Sequence, residues 1–298
     1  MVNDAIKKQV KDGHVFGLCH PLEIELSELL CEIIPCAEMV RIGRNGSDVT
    51  SIAVRLSRAH TGRDIVLCGG YHGFQDWYIG STERNAGIPQ VVRDLTKPFS
   101  YNDLTGLKRL LAENEGNVAC VIMEPIVSSI GYVPADIMFL EKIRALTEEL
   151  GIVLIFDEVQ SFRVAPGGAQ ELFGVIPDLT TLGKIIGGGT PVGAFGGRRD
   201  MMSAFDPTNE GLYLAHSGTF NANPITMRAG EVVMNALTTD VYDRMNELGE
   251  TLRQKLRAMF AEMGVPATVT GVASLFGIHF NCNEVKNYRD AISSDGQM

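Results

Sequence analysis

Two runs of the chain, Val118–Met123 (VACVIM) and Ile152–Phe156 (IVLIF), are apolar at every position. A strand with one wet face alternates apolar and polar residues, so unbroken runs like these are built to be covered on both faces. Between them, residues 136–150 carry apolar side chains at helical spacing. Doubly covered strands joined through a helix imply an α/β fold, a mainly parallel sheet flanked by helices.

Other segments extend that pattern. DIVLCGG at 64–70 and VGAFGG at 192–197 read as strands, and a short one from Met39 to Ile42 runs into the turn GRNGSD. Helices are expected over 21–34, where Pro21 suits a first turn, and from Leu104 to Asn114. Another is expected over 48–60, with Ser47 or Asp48 as its cap and Gly62 as its stop. From about Asn223 the character changes to two long helices and then an apolar pair of segments, ATVTGVASLFGIHF. The boundary therefore falls near Leu237. It divides an N-terminal helical segment (1–37) and a large α/β domain (38–237) from a smaller α+β domain (238–298), whose last residues, 287–298, are expected to be poorly anchored.

Several classes are excluded. With 26 Lys and Arg against 36 Asp and Glu, the net charge of −10 offers no basic surface for nucleic acid. No apolar run approaches a bilayer span, and the first residues, MVNDAIKKQVKDG, lack the apolar stretch of a signal peptide, so a cytoplasmic protein is expected. The cysteines at 19, 31, 36, 68, 120 and 282 form neither a CxxC pair nor a zinc-spaced cluster with histidine; reduced thiols and no metal are the expectation. No Ser-His-Asp order, HExxH or GxSxG occurs, and His20, His60 and His279 read as structural residues.

Sites in open α/β sheets form at the carboxyl ends of strands. The first strand delivers Asn45-Gly46-Ser47-Asp48 to a helix N-terminus, a place that binds anions but more often holds only a cap. The strand at 64–70 leads to Tyr71 and His72 among glycines, where an aromatic ring can lie against a planar ligand or simply half-bury itself in a turn. Asp157 and Glu158 emerge directly from an apolar strand, where a carboxylate is costly unless something pairs with it. Lys184 is the one charged residue between Leu179 and Gly197; it is either an amine with a lowered pKa suited to a Schiff base or an ordinary snorkelling lysine. The glycines beside it are not a nucleotide loop, because Asp178 replaces the first Gly of GxxxxGK[ST] and Ile185 follows the lysine. Arg163 either steers an anionic substrate or makes a fold-stabilising ion pair.

Together these segments resemble the class III aminotransferases of fold type I, pyridoxal 5′-phosphate (PLP) enzymes that include glutamate-1-semialdehyde 2,1-aminomutase. The resemblance rests on RNGSDVTSIAVRLSRAHTGRD, YHGFQDW, the Glu124-Pro125 pair, LIFDEVQSFRVAPGGAQELFGVIPDLTTLGKIIGGGTPVGAFGGRR and SGTFNANP. It covers about His20 to Phe280. It implies that Lys184 carries PLP as a Schiff base and later moves the proton, and that Asp157 pairs with the pyridine nitrogen. It further implies that Gly46 and Ser47 form the phosphate cup, Tyr71 stacks on the ring with His72 beside it, Gln160 lies near the ring hydroxyl and Glu124 supports the site. Thr219 matches a threonine that reaches the cofactor of the partner subunit, so a homodimer acting on small amino and carbonyl compounds is implied.

The chain departs from the family pattern in three places. DEVQSFR is one residue shorter than DEV-x-T-G-F-R, and RNGSD replaces NSGSE while keeping its glycine and hydroxyl. Gln160 stands where aminomutases often have Met, which favours transfer between two molecules. Relatives also extend further at both ends, which implies a partial small domain here. The alternatives are an intramolecular aminomutase, or a shortened homologue that binds PLP without turnover. A protein binding NAD or another nucleotide shares the sheet but lacks both glycine fingerprints.

Overall fold

The computed structural model describes residues 1–280 and 284–292. Its strands, in chain order, are β1 (Met39–Gly43), β2 (Ile65–Gly69), β3 (Thr96–Pro98), β4 (Val118–Met123), β5 (Ile126–Val127), β6 (Val133–Pro134), β7 (Val153–Asp157), β8 (Leu179–Gly183), β9 (Gly193–Gly197), β10 (Ala267–Thr270) and β11 (Gly277–Phe280). Seven of them form one sheet in the order β1-β9-β8-β7-β4-β2-β3. From β8 to β3 all pairings are parallel, and β9 runs antiparallel to both of its neighbours.

The unbroken apolar runs do what their composition requires. Every residue of β4 and β7 is buried. On one face Leu67, Val121, Met123, Leu154 and Phe156 pack with Leu107 and Leu111 of the Leu104–Glu113 helix and with Phe139, Leu140 and Ile143 of the Ile137–Glu149 helix. On the other face Val66, Cys68, Cys120, Ile122, Val153 and Ile155 meet Val49, Ile52, Ala53 and Leu56 of the Gly46–Thr61 helix. Alternate residues of each strand thus serve opposite cores. Each fully buried Leu, Ile or Phe contributes about 1.5–3 kcal/mol.

Helix ends decide where the site residues stand. The Pro21–Ile33 helix is capped by the His20 ring, whose Nδ1 accepts the Leu22 N–H. The Gly46–Thr61 helix is capped by Asn45 rather than by Ser47 or Asp48: Asn45 Oδ1 accepts the Asp48 N–H at 3.0 Å. Ser47 is thereby left inside the first turn with its hydroxyl free of the capping task. The helix stops, as expected, at Gly62 in the left-handed conformation, φ 67°.

Leu237 lies in the turn between the Pro224–Ala236 and Thr239–Glu262 helices. Beyond it, β10 and β11 form a hairpin, and Thr270 donates its hydroxyl to Gly131 O at 2.5 Å, resting the hairpin on the 128–131 turn. Val285, just before the segment expected to be poorly anchored, is buried in the core of the large sheet and Ala291 packs against that core, while the Tyr288–Ile292 helix buries none of its residues. Cys282 and residues 293–298 lie outside the described residues. Among the described residues, no helix is long and apolar enough to cross a membrane.

Candidate active site

The carboxyl ends of β2, β4, β7 and β8 open beside the N-terminus of the Gly46–Thr61 helix, around a cleft of about 450 Å³. Gly46, Ser47, Tyr71, His72, Glu124, Asp157, Gln160 and Lys184 all line it. Thr219 does not; it is exposed, in the segment preceding the Pro224–Ala236 helix.

At one end of the cleft is the helix terminus. The Asp48 and Val49 N–H groups are taken by Asn45, which leaves those of Gly46 and Ser47 as the outward donors of a 16-residue helix. The Tyr71 turn is fastened to this end, because Thr50 donates its hydroxyl to His72 O at 2.8 Å and Phe74 N–H donates to Ser47 Oγ at 3.3 Å. That approach requires Gly73: its φ is +101°, and a Cβ there would collide with Ser47.

At the other end is Asp157, only 3% exposed and the last residue of β7. The register pairs it with Thr181 of β8, whose hydroxyl donates to Asp157 Oδ1 at 3.1 Å; Val159 N–H donates to the same oxygen at 3.2 Å. His72 Nδ1 lies 2.8 Å from Oδ2 and donates to it, since a carboxylate only accepts. The His72 ring is stacked on Trp77 and buried, and its Nε2 has no hydrogen-bond partner among the described residues. The buried carboxylate is thus held in place by neutral donors and an imidazole, with no Lys or Arg within ion-pair distance among the described residues.

Lys184 follows β8 by one residue and takes a φ of +50°, a left-handed conformation that costs a side-chain-bearing residue about 1–2 kcal/mol. It is exposed at the cleft rather than buried among apolar neighbours, so desolvation is not what distinguishes it. Position does: among the described residues it is the one cation lining a cleft that holds two buried carboxyl groups. Tyr71 is 49% exposed, and its ring meets Tyr78 edge-on at 5.7 Å, leaving area to receive a flat ligand.

Glu124 is buried beside the same cleft. Burial first, and the charge of Asp157 second, push its carboxyl up to about 7 against the opposing pull of its bonds from Ser128 and Tyr71 N–H. Glu158, next to Asp157 in sequence, points elsewhere: it accepts from Ser161, Ala169 and Gln170 and braces the chain behind the strand. Arg163 fulfils neither expectation. It does not line the cleft, it makes no ion pair among the described residues, and its buried Nε has no hydrogen-bond partner.

Sequence reasoning missed Val159, Ser128 and Thr190, which also line the cleft. Val159 packs between the helix terminus and the lysine, where a Cβ at either Gly46 or Gly183 would press on it, a contact that no local sequence signal announces. A larger cleft, about 720 Å³, opens at the opposite ends of β7 and β8. One of its acids, Asp178, is bound by both Arg144 and Arg198 at 3.0 Å.

The sequence model of the family "Aminotransferase class-III" matches residues 1–296. A protein of Methanothermobacter thermautotrophicus named glutamate-1-semialdehyde 2,1-aminomutase is 42% identical over 99% of this chain and 72% of its own length. Among solved structures, an omega-transaminase from Sphaerobacter thermophilus superposes with a TM-score of 0.92 at 40% identity, covering 97% of this chain and 70% of that one. A transaminase solved with PLP bound gives 0.89 at 35% identity, covering 95% and 69%.

Proposed function

The chain belongs to the class-III aminotransferase family, and from that premise we propose that it is a PLP-dependent enzyme moving an amino group between small amino and carbonyl compounds through Lys184. The observation that carries the reading is the placing of Asp157 and Lys184 at the ends of the neighbouring strands β7 and β8, lining one cleft with a free helix terminus.

The residues present fit the cofactor. Gly46 and Ser47 supply outward N–H groups and a hydroxyl for a phosphate, favoured there by the helix dipole. Asp157, with no cationic side chain of its own, suits the protonated nitrogen of a pyridine ring. Tyr71 offers a ring face, and Gln160 an amide near the ring hydroxyl. When bound, PLP supplies an electron sink for the pair released at the carbon next to the substrate nitrogen. Lys184 contributes the amine that holds the cofactor and then moves the proton at that carbon. Asp157 keeps its proton partner in place, held by His72 and Thr181 so that no reorganisation is needed. Thr219, exposed and away from its own cleft, would reach the cofactor phosphate held by the partner subunit in a homodimer. The large domain ends at Leu237, and the β10–β11 hairpin belongs to the smaller one.

The test is the visible spectrum of the purified protein with PLP, before and after adding glutamate and a panel of other amino donors. A band that Lys184→Ala lacks, and that a donor discharges, is expected. No band that depends on Lys184 would overturn the reading. Transfer within a single molecule is a second reading, favoured by the 42% identity to a named aminomutase. Conversion of glutamate-1-semialdehyde without an added acceptor would select it.

A further inference from the structure

A buried carboxylate and a serine outside the reacting pair determine how the ring-stacking turn is held. Glu124 is 3% exposed and has no Lys or Arg within ion-pair distance among the described residues. Its charge is met by donors from two directions. Ser128 gives its hydroxyl to Oε1 at 2.6 Å and its N–H to the same oxygen at 3.2 Å, while Tyr71 N–H bonds Oε2 at 2.8 Å. Gly70, with φ +112°, brings the turn so close that a Cβ there would meet Oε2 at 2.7 Å. Tyr101 fixes the segment from behind, its hydroxyl donating to Glu124 O at 3.0 Å and Pro125 O at 2.8 Å.

We propose that Ser128 is a positioning residue for the reaction: by orienting the Glu124 carboxylate it clamps the Tyr71 backbone, and hence the aromatic face on which PLP lies. The proposal rests on the PLP reading above. The groups around Glu124 are Asp157 on β7, His72 and Tyr71 on the turn, Tyr78 after it, Tyr101 before β4, and Lys184 across the cleft. A neutral carboxyl accepts a hydrogen bond more weakly than a carboxylate, so protonating Glu124 loosens the clamp. The Ser128 hydroxyl opposes that protonation, because its bond favours the charged form.

The test measures PLP affinity by absorbance titration in wild type, Ser128→Ala, Ser128→Thr and Glu124→Gln across roughly pH 5.5–8.5. Ser128→Ala should weaken PLP binding about tenfold and move the midpoint of its pH dependence upward. Ser128→Thr should restore both. In the Glu124→Gln background, Ser128→Ala should move no midpoint at all. Wild-type affinity and midpoint in Ser128→Ala would overturn the proposal, as would a lowered melting temperature with an unmoved midpoint, the mark of a purely structural serine. A wild-type chain that fails to bind PLP through Lys184 would instead overturn the PLP reading itself.

Discussion

His72 Nδ1 lies 2.8 Å from Asp157 Oδ2, with the imidazole fully buried and the two residues 85 positions apart in sequence. The carboxylate therefore reaches the cleft already oriented, one oxygen held by a ring and the other by Thr181 and Val159. Asp157→Asn should lower turnover by about 10²–10³-fold, the size seen when one preorganised electrostatic group is removed. His72→Phe keeps the packing on Trp77 and removes the donor, so a smaller loss of about 10–100-fold is expected, as for outer-shell partners at metal sites. Steady-state kinetics with a matched melting curve separates the two effects.

Gly73→Ala tests the approach of the Tyr71 turn to the helix terminus. The substitution strains a positive φ and drives a methyl group into Ser47. PLP affinity should fall by at least about tenfold, equal to about 1.4 kcal/mol, with the loss concentrated in phosphate binding. Inorganic phosphate competition, measured against PLP, reads that end of the cleft directly.

Asp178 offers a contrast between fold and site. It ties Arg144, Arg198 and the Leu154 N–H together at the ends of the strands remote from Lys184. Asp178→Ala takes the carboxylate from the Arg144 guanidinium and the Leu154 N–H, while Arg198 keeps Asp200, and should cost about 3 kcal/mol of stability. The urea midpoint should drop while the PLP band of the surviving folded protein keeps its wavelength.

Glu158 predicts a pH dependence. Burial pushes its carboxyl up to about 7, against 4.5 for the free group. Below 4.5 folded and unfolded chains both hold the proton; above it the unfolded chain releases first, so the folded state loses relative stability until about pH 7 and no further. Unfolding free energy of the wild type relative to Glu158→Gln should therefore decline by about 1 kcal/mol per pH unit between those limits. Taking the difference removes the opposite contribution of His216 and His279, whose pKa values burial lowers. A flat difference would show that Glu158 stays ionised under its Gln170 and Ala169 donors.

The central strands could be read from the chain because β4 and β7 are apolar on both faces, and the Gly46–Thr61 helix because Gly62 marks its end. β8 was hidden: LTTLG carries two threonines, and both are buried only because Phe156 O and Asp157 Oδ1 accept their hydroxyls. Asn45 was passed over as the cap because Asn-Gly-Ser-Asp presents three eligible side chains in four residues, and the local sequence does not choose among them. Asp157, Tyr71 and Ser47 were legible as residues of unusual chemistry just past apolar strands, and Lys184 as the lone charge between Leu179 and Gly197. Ser128 and the His72 partnership were not, since each acquires its meaning from a neighbour that only tertiary packing supplies.

The register of β7 against β8 sets which mutations the lineage can accept. Asp157 and Thr181 are Cα partners, and side chains alternate along each strand, so a single residue inserted or deleted within β7 would turn Phe156 toward the cleft and Asp157 into the core, and one within β8 would turn Thr181 away from Asp157. Length changes should therefore be absent from these ten residues and accumulate in the connections beyond them.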